Sequence, residues 1–334
     1  MLHALLLICL SIIHLNAMPF PIDIVYLWVD GKDPQWRAIK QAYLPGDHSV
    51  LNAPIDATSD NRYIEHNELK FSLRSIVRFA PFFRHIYIVT MNQRPKWLLD
   101  HPQIIVIDHL DIFKNRNDLP TFNSQAIESH LHRIFELSEH FIYFNDDVFL
   151  GKPVTPTDFF SPDGKIEVLF EKGRTFSPNP EVQASSYRQA WVNSNHILDT
   201  FYVKEKRHRL CHAPFALRKS FINLAETLFP FVFEITSSHR FRTNDDYNIV
   251  NGFLQYVWIY HNLAERGKMT NRMLSFHGDD HLEALQKDLK QLLENPPHTF
   301  CLEDSVTGKS EKTDQLLQDF FRSLYPTPAP WEAF

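Results

Sequence analysis

The chain is 334 residues long, with 34 basic and 40 acidic side chains and a formal charge of −6. Hydrophobic residues make up 44% and charged ones 22%, the composition of a globular chain with a large core, which excludes a disordered one. The negative balance argues against nucleic acid as a partner, and among only 9 glycines there is neither a G-x-G-x-x-G nor a G-x-x-x-x-G-K-[ST] phosphate cradle.

Residues 4–13, ALLLICLSII, form an unbroken apolar run. It is shorter than the roughly 20 residues of a bilayer crossing and suits the apolar region of a secretory signal, with Ala17 at a cleavage point. Residues 1–17 are therefore expected to be a signal peptide or a short apolar anchor. The protein is accordingly expected to be exported or membrane-associated through its N-terminus, and otherwise cytoplasmic. Cleavage would remove Cys9 and leave Cys211 and Cys301, for which two buried thiols are the simpler reading than a disulfide.

Residues 22–29, IDIVYLWV, read as a buried strand ended by Asp30-Gly31. Pro34 can open a short helix, and 44–62 reads as a loop. An amphipathic helix is predicted at about 65–79, with Leu69, Leu73, Ile76 and Val77 at helical spacing. Strands follow at 85–90 and 103–108. Ser124 is a candidate cap for a helix whose apolar face carries Ile127, Leu131, Ile134 and Phe135. A fourth strand, HFIYFN, runs into Asp146-Asp147. Strands alternating with helices predict βαβ units, an α/β fold with a mainly parallel sheet. The second half reads as more helical, with helices at about 187–203, 214–228, 246–265, 282–294 and 313–324 and a polar loop at 303–312. Residues 20–334 are read as one domain, an α/β core over 20–160 and a more helical part over 161–334.

Ligands of parallel sheets gather beyond the carboxyl ends of strands, where Asp30, Thr90, Asp108 and Asp146-Asp147 all lie. Two carboxylates after an apolar strand can hold a hard divalent cation against a diphosphate, or can simply close a solvated turn. In Trp28-Val29-Asp30-Gly31, Asp30 could accept a proton, bind a ligand hydroxyl or only form an Asp-Gly turn. Asn123 and Ser124 precede a helix whose N-terminus suits a phosphate, with plain capping as the alternative. Glu128 and His132 share a helical face at i, i+4, read as a surface pair. His212 precedes a helix that contains Lys219 and could serve as a general base. Arg240 and Arg242, followed by Asn244-Asp245-Asp246, can clamp phosphate oxygens or form a salt-bridged helix start. His277-Gly278-Asp279-Asp280 reads as a helix N-terminus.

Four blocks in order carry a resemblance. They are IDIVYLWVDGKDPQW; the long stretch from Asn67 to Phe160 with LPTFNSQAIESHLHRI and FIYFNDDVFLGKPV; His212-Ala213-Pro214 through RFRTNDDYN; and FCLED with FFRSLYPTPAPWE. Together they resemble the Stealth family of sugar-phosphate transferases, which includes capsule polysaccharide phosphotransferases and the catalytic subunit of the lysosomal-enzyme N-acetylglucosamine-1-phosphotransferase. The resemblance implies a Rossmann-like core with helices on both faces and helical additions. It implies transfer of a sugar 1-phosphate from a nucleotide-sugar donor to a hydroxyl of a glycan or polysaccharide acceptor, with a divalent metal, Mg²⁺ or Mn²⁺. Carried onto this sequence, it implies His212, Arg242 and Asp30 as catalytic. It implies Trp28, Gly31, Asn123, Ser124, Glu128, Lys219 and Arg240 for substrate, and Asp146, Asp147 and Asp246 for metal. Asp304 matches the last block, and the ending PTPAPWE departs mildly from the family's P-x-P-S-x-F-E form. The alternatives are a glycosyltransferase with the same donor, a silent glycan-binding protein on this scaffold, and a metal-dependent hydrolase.

Overall fold

A computed structural model describes residues 20–44, 57–175, 185–276, 281–304 and 311–333. The expected signal or anchor, the cluster at His277–Asp280 and parts of the loops at 44–62 and 303–312 lie outside the described residues.

β1 (Ile22–Leu27) leads into α1 (Pro34–Tyr43), which starts where expected: Pro34 opens it and Asp33 caps it, accepting from the Trp36 amide at 2.8 Å. α2 (Glu68–Phe79) follows and buries Leu69, Leu73 and Ile76. β2 (Ile86–Thr90), β3 (Ile104–Asp108), α3 (His109–Ile112), α4 (Ser124–Glu128) and β4 (His140–Asn145) complete the first half, with β5 (Val148–Leu150) directly after Asp147. The second half holds β6 (Ile166–Val168), β7 (Phe170–Thr175), α5 (Ser186–Phe201), β8 (His208–Leu210), β9 (Phe215–Arg218), α6 (Lys219–Leu228) and α7 (Pro230–Ser238). It ends with α8 (Gln255–Tyr260), β10 (Ala264–Arg266), β11 (Asn271–Phe276), α9 (Leu282–Glu294), β12 (Thr299–Asp304) and α10 (Glu311–Leu324).

The main sheet has the order β3-β2-β1-β4-β9. Its first four strands are parallel and β9 is antiparallel to β4. β1 and β2 are buried between neighbours on both sides, which is why they read as near-continuous apolar runs, with the buried Asp23 of β1 paired to Arg84. The chain steps outward from β1 to β3, then returns to β4 on the other side of β1, so the strand order reverses there. Leu27 pairs with Val89 and Asn145, and Thr90 with Asp108, so the carboxyl ends of β1 to β4 stand side by side. A second sheet, β11-β12-β5, begins where β4 ends. Asp146-Asp147 is therefore the hinge between two sheets.

Several expected elements differ. The helix after Asn123 stops at Glu128 and gives way to a 3₁₀ turn at Leu131–Arg133. Ile127, Leu131 and Ile134 are buried as expected, but Phe135 points out and is 82% exposed. Residues 215–218 are strand, not the start of a helix, because Phe215, Ala216 and Leu217 pair with β4 and are buried. The helix expected over 246–265 begins as a π-type turn at Ile249–Leu254, broken at Asn251 and Gly252, and ends at Tyr260. α7 and seven short strands in the second half carried no strong periodic signal. Among the described residues no helix is long and apolar enough to cross a membrane.

Candidate active site at the junction of two sheets

The β4–β5 turn presents both carboxylates. β12 runs antiparallel to β5 with Cys301 opposite Val148, and the Leu302 amide donates to the Asp147 carbonyl at 3.1 Å. β9 runs antiparallel to β4 with Phe215 opposite Tyr143, so the residues before β9 fall beyond the carboxyl end of β4. Those residues include His212. Its Nδ1 lies 3.1 Å from Cys301 Sγ, and Cys301 Sγ donates to Asp147 Oδ2 at 3.3 Å. Among the described residues, donor atoms of Asp147, His212 and Cys301 all lie within 4.8 Å of one another.

The surroundings of this triad are acidic. Burial, then Asp147, Glu68 and Glu65, push the Asp146 carboxyl well above the usual range. Burial holds Glu68 at about 7, and burial also raises Glu65, with Asp30 adding to it. Asp147 Oδ1 is buried with no hydrogen-bond partner. A lone pair left over in a crowd of carboxylates fits a hard divalent cation, with Asp146 and Asp147 as oxygen donors. Cys301 suits Mg²⁺ or Mn²⁺ poorly as a ligand, and its thiol is already engaged on Asp147.

A second set of residues lies on the far side of Tyr143. The Tyr143 hydroxyl donates to Glu128 Oε1 at 3.1 Å, and the phenol is pushed up by burial, by Glu128 and by Asp146 and Asp147. Burial raises Glu128 to about 7 even though the Arg242 charge opposes it. Arg242 Nη2 donates to Ser124 Oγ at 2.7 Å. Trp28 and Asp30 lie beside Glu65, one of the acidic groups around Asp146. Gln93 grips the Asp30 main chain, accepting its N–H at 3.1 Å and donating to its carbonyl at 3.0 Å. The Asp30 carboxylate accepts from the Lys32 amide at 2.9 Å. Gly31 is required by a close approach: a Cβ there would sit 2.1 Å from the Tyr63 carbonyl oxygen. Tyr63 in turn donates to the Phe122 carbonyl at 3.0 Å, linking the β1 loop to the Asn123 loop. The buried Trp28 indole N–H faces the Glu65 carboxyl and partly offsets its rise.

Other expected site residues serve the framework. Asn123, not Ser124, caps α4, with Oδ1 accepting from the Gln125 amide at 3.1 Å and Nδ2 donating to Asp246 Oδ2 at 3.0 Å. One amide of the α4 N-terminus is thus already capped. Asp246 is fully buried and accepts from Asn123, from the Thr243 amide at 2.9 Å and, on Oδ1, pairs with His239 Nδ1 at 2.7 Å. Its oxygens hold the 239–246 loop and lie outside the Asp147 group. Arg240 donates to the Asn117 carbonyl at 2.6 Å and covers the Tyr43 ring. Lys219 sits at the end of β9 remote from His212, beside Arg218, which pairs with the first residue of β4, and donates to the carbonyls of Ile134 and Leu137. Glu128 and His132 do not share a face. The turn between them sends His132 to Glu226 at 2.9 Å. Cys301, Tyr143, Glu65, Glu68, Gln93 and Tyr63 were not singled out from sequence for the site. FCLED at the end of a strand was the one available signal for Cys301.

The Stealth protein conserved regions 1, 2, 3 and 4 match residues 20–47, 62–168, 211–258 and 290–333. The capsular polysaccharide phosphotransferase fcs1 of Haemophilus influenzae is 36% identical over 308 residues, covering 87% of this chain and 80% of that one. The chain belongs to the Stealth family. Each conserved region contains residues of the candidate site: region 1 holds Asp30 and Gly31, region 2 Ser124, Glu128, Asp146 and Asp147, region 3 His212 and Arg242, and region 4 Cys301. An exopolysaccharide phosphotransferase of Streptomyces coelicolor is 37% identical over 95% of this chain and 54% of its own length. The exopolysaccharide phosphotransferase CpsY of Mycobacterium tuberculosis is 35% identical over 96% of this chain and 59% of its own. This Stealth chain therefore spans little more than half the length of those two relatives.

Proposed function

We propose that this chain is a phosphotransferase of polysaccharide synthesis. It moves a hexose or N-acetylhexosamine 1-phosphate from a nucleotide sugar to a glycan hydroxyl, forms a phosphodiester and releases nucleoside monophosphate. The observation that carries this reading is the meeting of Asp147, His212 and Cys301, next to Asp146, at the point where the strand order reverses. The names of the relatives point the same way, and the parallel order β3-β2-β1-β4 supports a Rossmann-like core.

In this reading His212 takes the proton of the acceptor hydroxyl, a step worth about 10²–10⁴-fold in rate. The acceptor oxygen forms a bond to the sugar-bearing phosphorus while that phosphorus loses its bond to the bridging oxygen, which leaves on the monophosphate. Arg242 and Ser124 bind the diphosphate, and Glu128 steadies the guanidinium. Asp30 binds a sugar hydroxyl, with Trp28 and Gly31 beside it. Asp146 and Asp147 would hold the divalent cation, which offsets donor charge when bound. Asn123, Arg240 and Asp246 position the loops, and Lys219 takes no part.

The test is to incubate the protein with nucleotide sugars, a divalent cation and glycan acceptors and to identify the released nucleotide. Acceptor-dependent monophosphate that disappears in Asp147→Ala supports the proposal. Nucleoside diphosphate would make the protein a glycosyltransferase, and release without acceptor would make it a hydrolase.

A further inference from the structure

Cys301 is fully buried, fixed in β12 by its pairing with β5, and placed between His212 and Asp147. A thiol has one proton to donate. It goes to Asp147 Oδ2, which accepts it at 3.3 Å. Toward His212 the sulfur can then only accept, so the contact at 3.1 Å requires the imidazole proton on Nδ1. A neutral imidazole with its proton on Nδ1 carries its lone pair on Nε2. Among the described residues no hydrogen bond to Nε2 is formed, and the residue is partly open to solvent.

We infer that Cys301 is a positioning residue, whose thiol both orients the Asp147 carboxylate and holds His212 in the tautomer that leaves Nε2 free to take a proton. The inference rests on the proposed transfer reaction for its purpose and on donor and acceptor counting for its geometry. A serine has the same capacity to donate once and accept once, although its oxygen is smaller. An alanine has neither.

The experiment pairs a spectroscopic readout with kinetics in the full chain. Nitrogen-15 NMR of histidine-labelled protein, with His212 assigned by His212→Gln, reports which ring nitrogen is bare. The wild type and Cys301→Ser should show a bare Nε2, and Cys301→Ala should show a mixture of tautomers. Cys301→Ser should keep kcat within about tenfold, whereas Cys301→Ala should lose about 10²-fold or more in kcat with little change in donor KM. A wild-type His212 protonated on Nε2 overturns the inference, whether or not Cys301→Ala folds and whatever the reaction proves to be. So does a Cys301→Ala protein with wild-type tautomer and rate. Addition of Co²⁺ gives a further arm. A thiolate-to-cobalt charge-transfer band present in the wild type and absent in Cys301→Ser would make Cys301 a metal ligand and overturn the inference. Absence of the band in both supports it. If the nucleotide assay fails while the NMR pattern holds, the proposed reaction falls and the tautomer assignment stands.

Discussion

Cys301 and Asp147, 154 residues apart in sequence, touch side by side: the thiol donates to Oδ2 at 3.3 Å, and the next residue's amide donates to the Asp147 carbonyl. That contact ties conserved region 4 to conserved region 2 at the point where the two sheets meet. The carboxylate is held from one side by a neutral donor while its other oxygen stays unpaired, the arrangement a cation-binding group needs before its cation arrives.

Arg242 and Ser124 should separate by magnitude. In the proposed reaction the guanidinium is the charge that meets the donor, so Arg242→Ala is expected to lower kcat/KM by roughly 10²–10³-fold. Ser124 contributes one neutral hydroxyl, and Ser124→Ala should lower it by about tenfold or less. Steady-state kinetics with varied donor checks both. Equal losses would mean that the pair at 2.7 Å acts as one structural unit.

Gly31→Ala should damage fold and site together. The added Cβ meets the Tyr63 carbonyl at 2.1 Å, and backbone cannot yield as a flexible side chain does. A loss of about 1–3 kcal/mol is expected from overpacking of this kind. Chemical denaturation measures it, and an unchanged midpoint would show that the β1 loop moves freely away from Tyr63.

Glu128 makes a pH prediction with a definite sign. Burial raises its carboxyl from the ordinary 4.5 to about 7, so the folded state prefers it protonated. Its contribution to stability is fully present below about 4.5 and is lost as pH rises through about 7. Glu128→Gln mimics the protonated form at every pH. The variant should therefore gain on the wild type as pH rises across that window, read as a growing difference between urea midpoints. A difference that stays constant would contradict the assignment.

Glu332 closes the C-terminal end of the chain. Arg74 grips it bidentately at 2.7 and 2.6 Å, and the Ala329 amide donates to it at 2.9 Å. Its side chain is only 2% exposed, so Glu332→Ala leaves a partly buried guanidinium without its partner. A destabilisation of about 3–5 kcal/mol is expected, with the calorimetric midpoint as readout. A shift of under a degree would mean that the terminal segment is dispensable to the core.

The parallel strands were legible because each is a short apolar run, with β1, β2 and β4 buried on both faces, and their carboxyl ends pointed to Asp30 and Asp146-Asp147. Asp147 and His212 could be named, but not their meeting, which depends on β9 folding back along β4. Residues 215–218 carry no alternation to announce that strand. Asp246 and Asn123 looked like ligands because capping residues and ligands use the same side chains, and only their filled hydrogen bonds tell the two apart. Lys219 looked close to His212 in sequence, yet β9 lies between them and carries it to the amino end of β4. Cys301 was hidden in β12, which reaches Asp147 only through its antiparallel pairing with β5, a strand of three residues.

In the proposed reaction phosphorus travels with the sugar. The most direct measurement is to supply a nucleoside diphosphate sugar labelled at the phosphorus attached to the sugar, with cation and glycan acceptor, and to follow the label. Sugar-phosphate transfer predicts that the label enters the glycan as an acid-labile phosphodiester, that unlabelled monophosphate is released, and that Asp147→Ala and His212→Ala each abolish the incorporation. Label retained on the released nucleotide while sugar alone enters the glycan would contradict it.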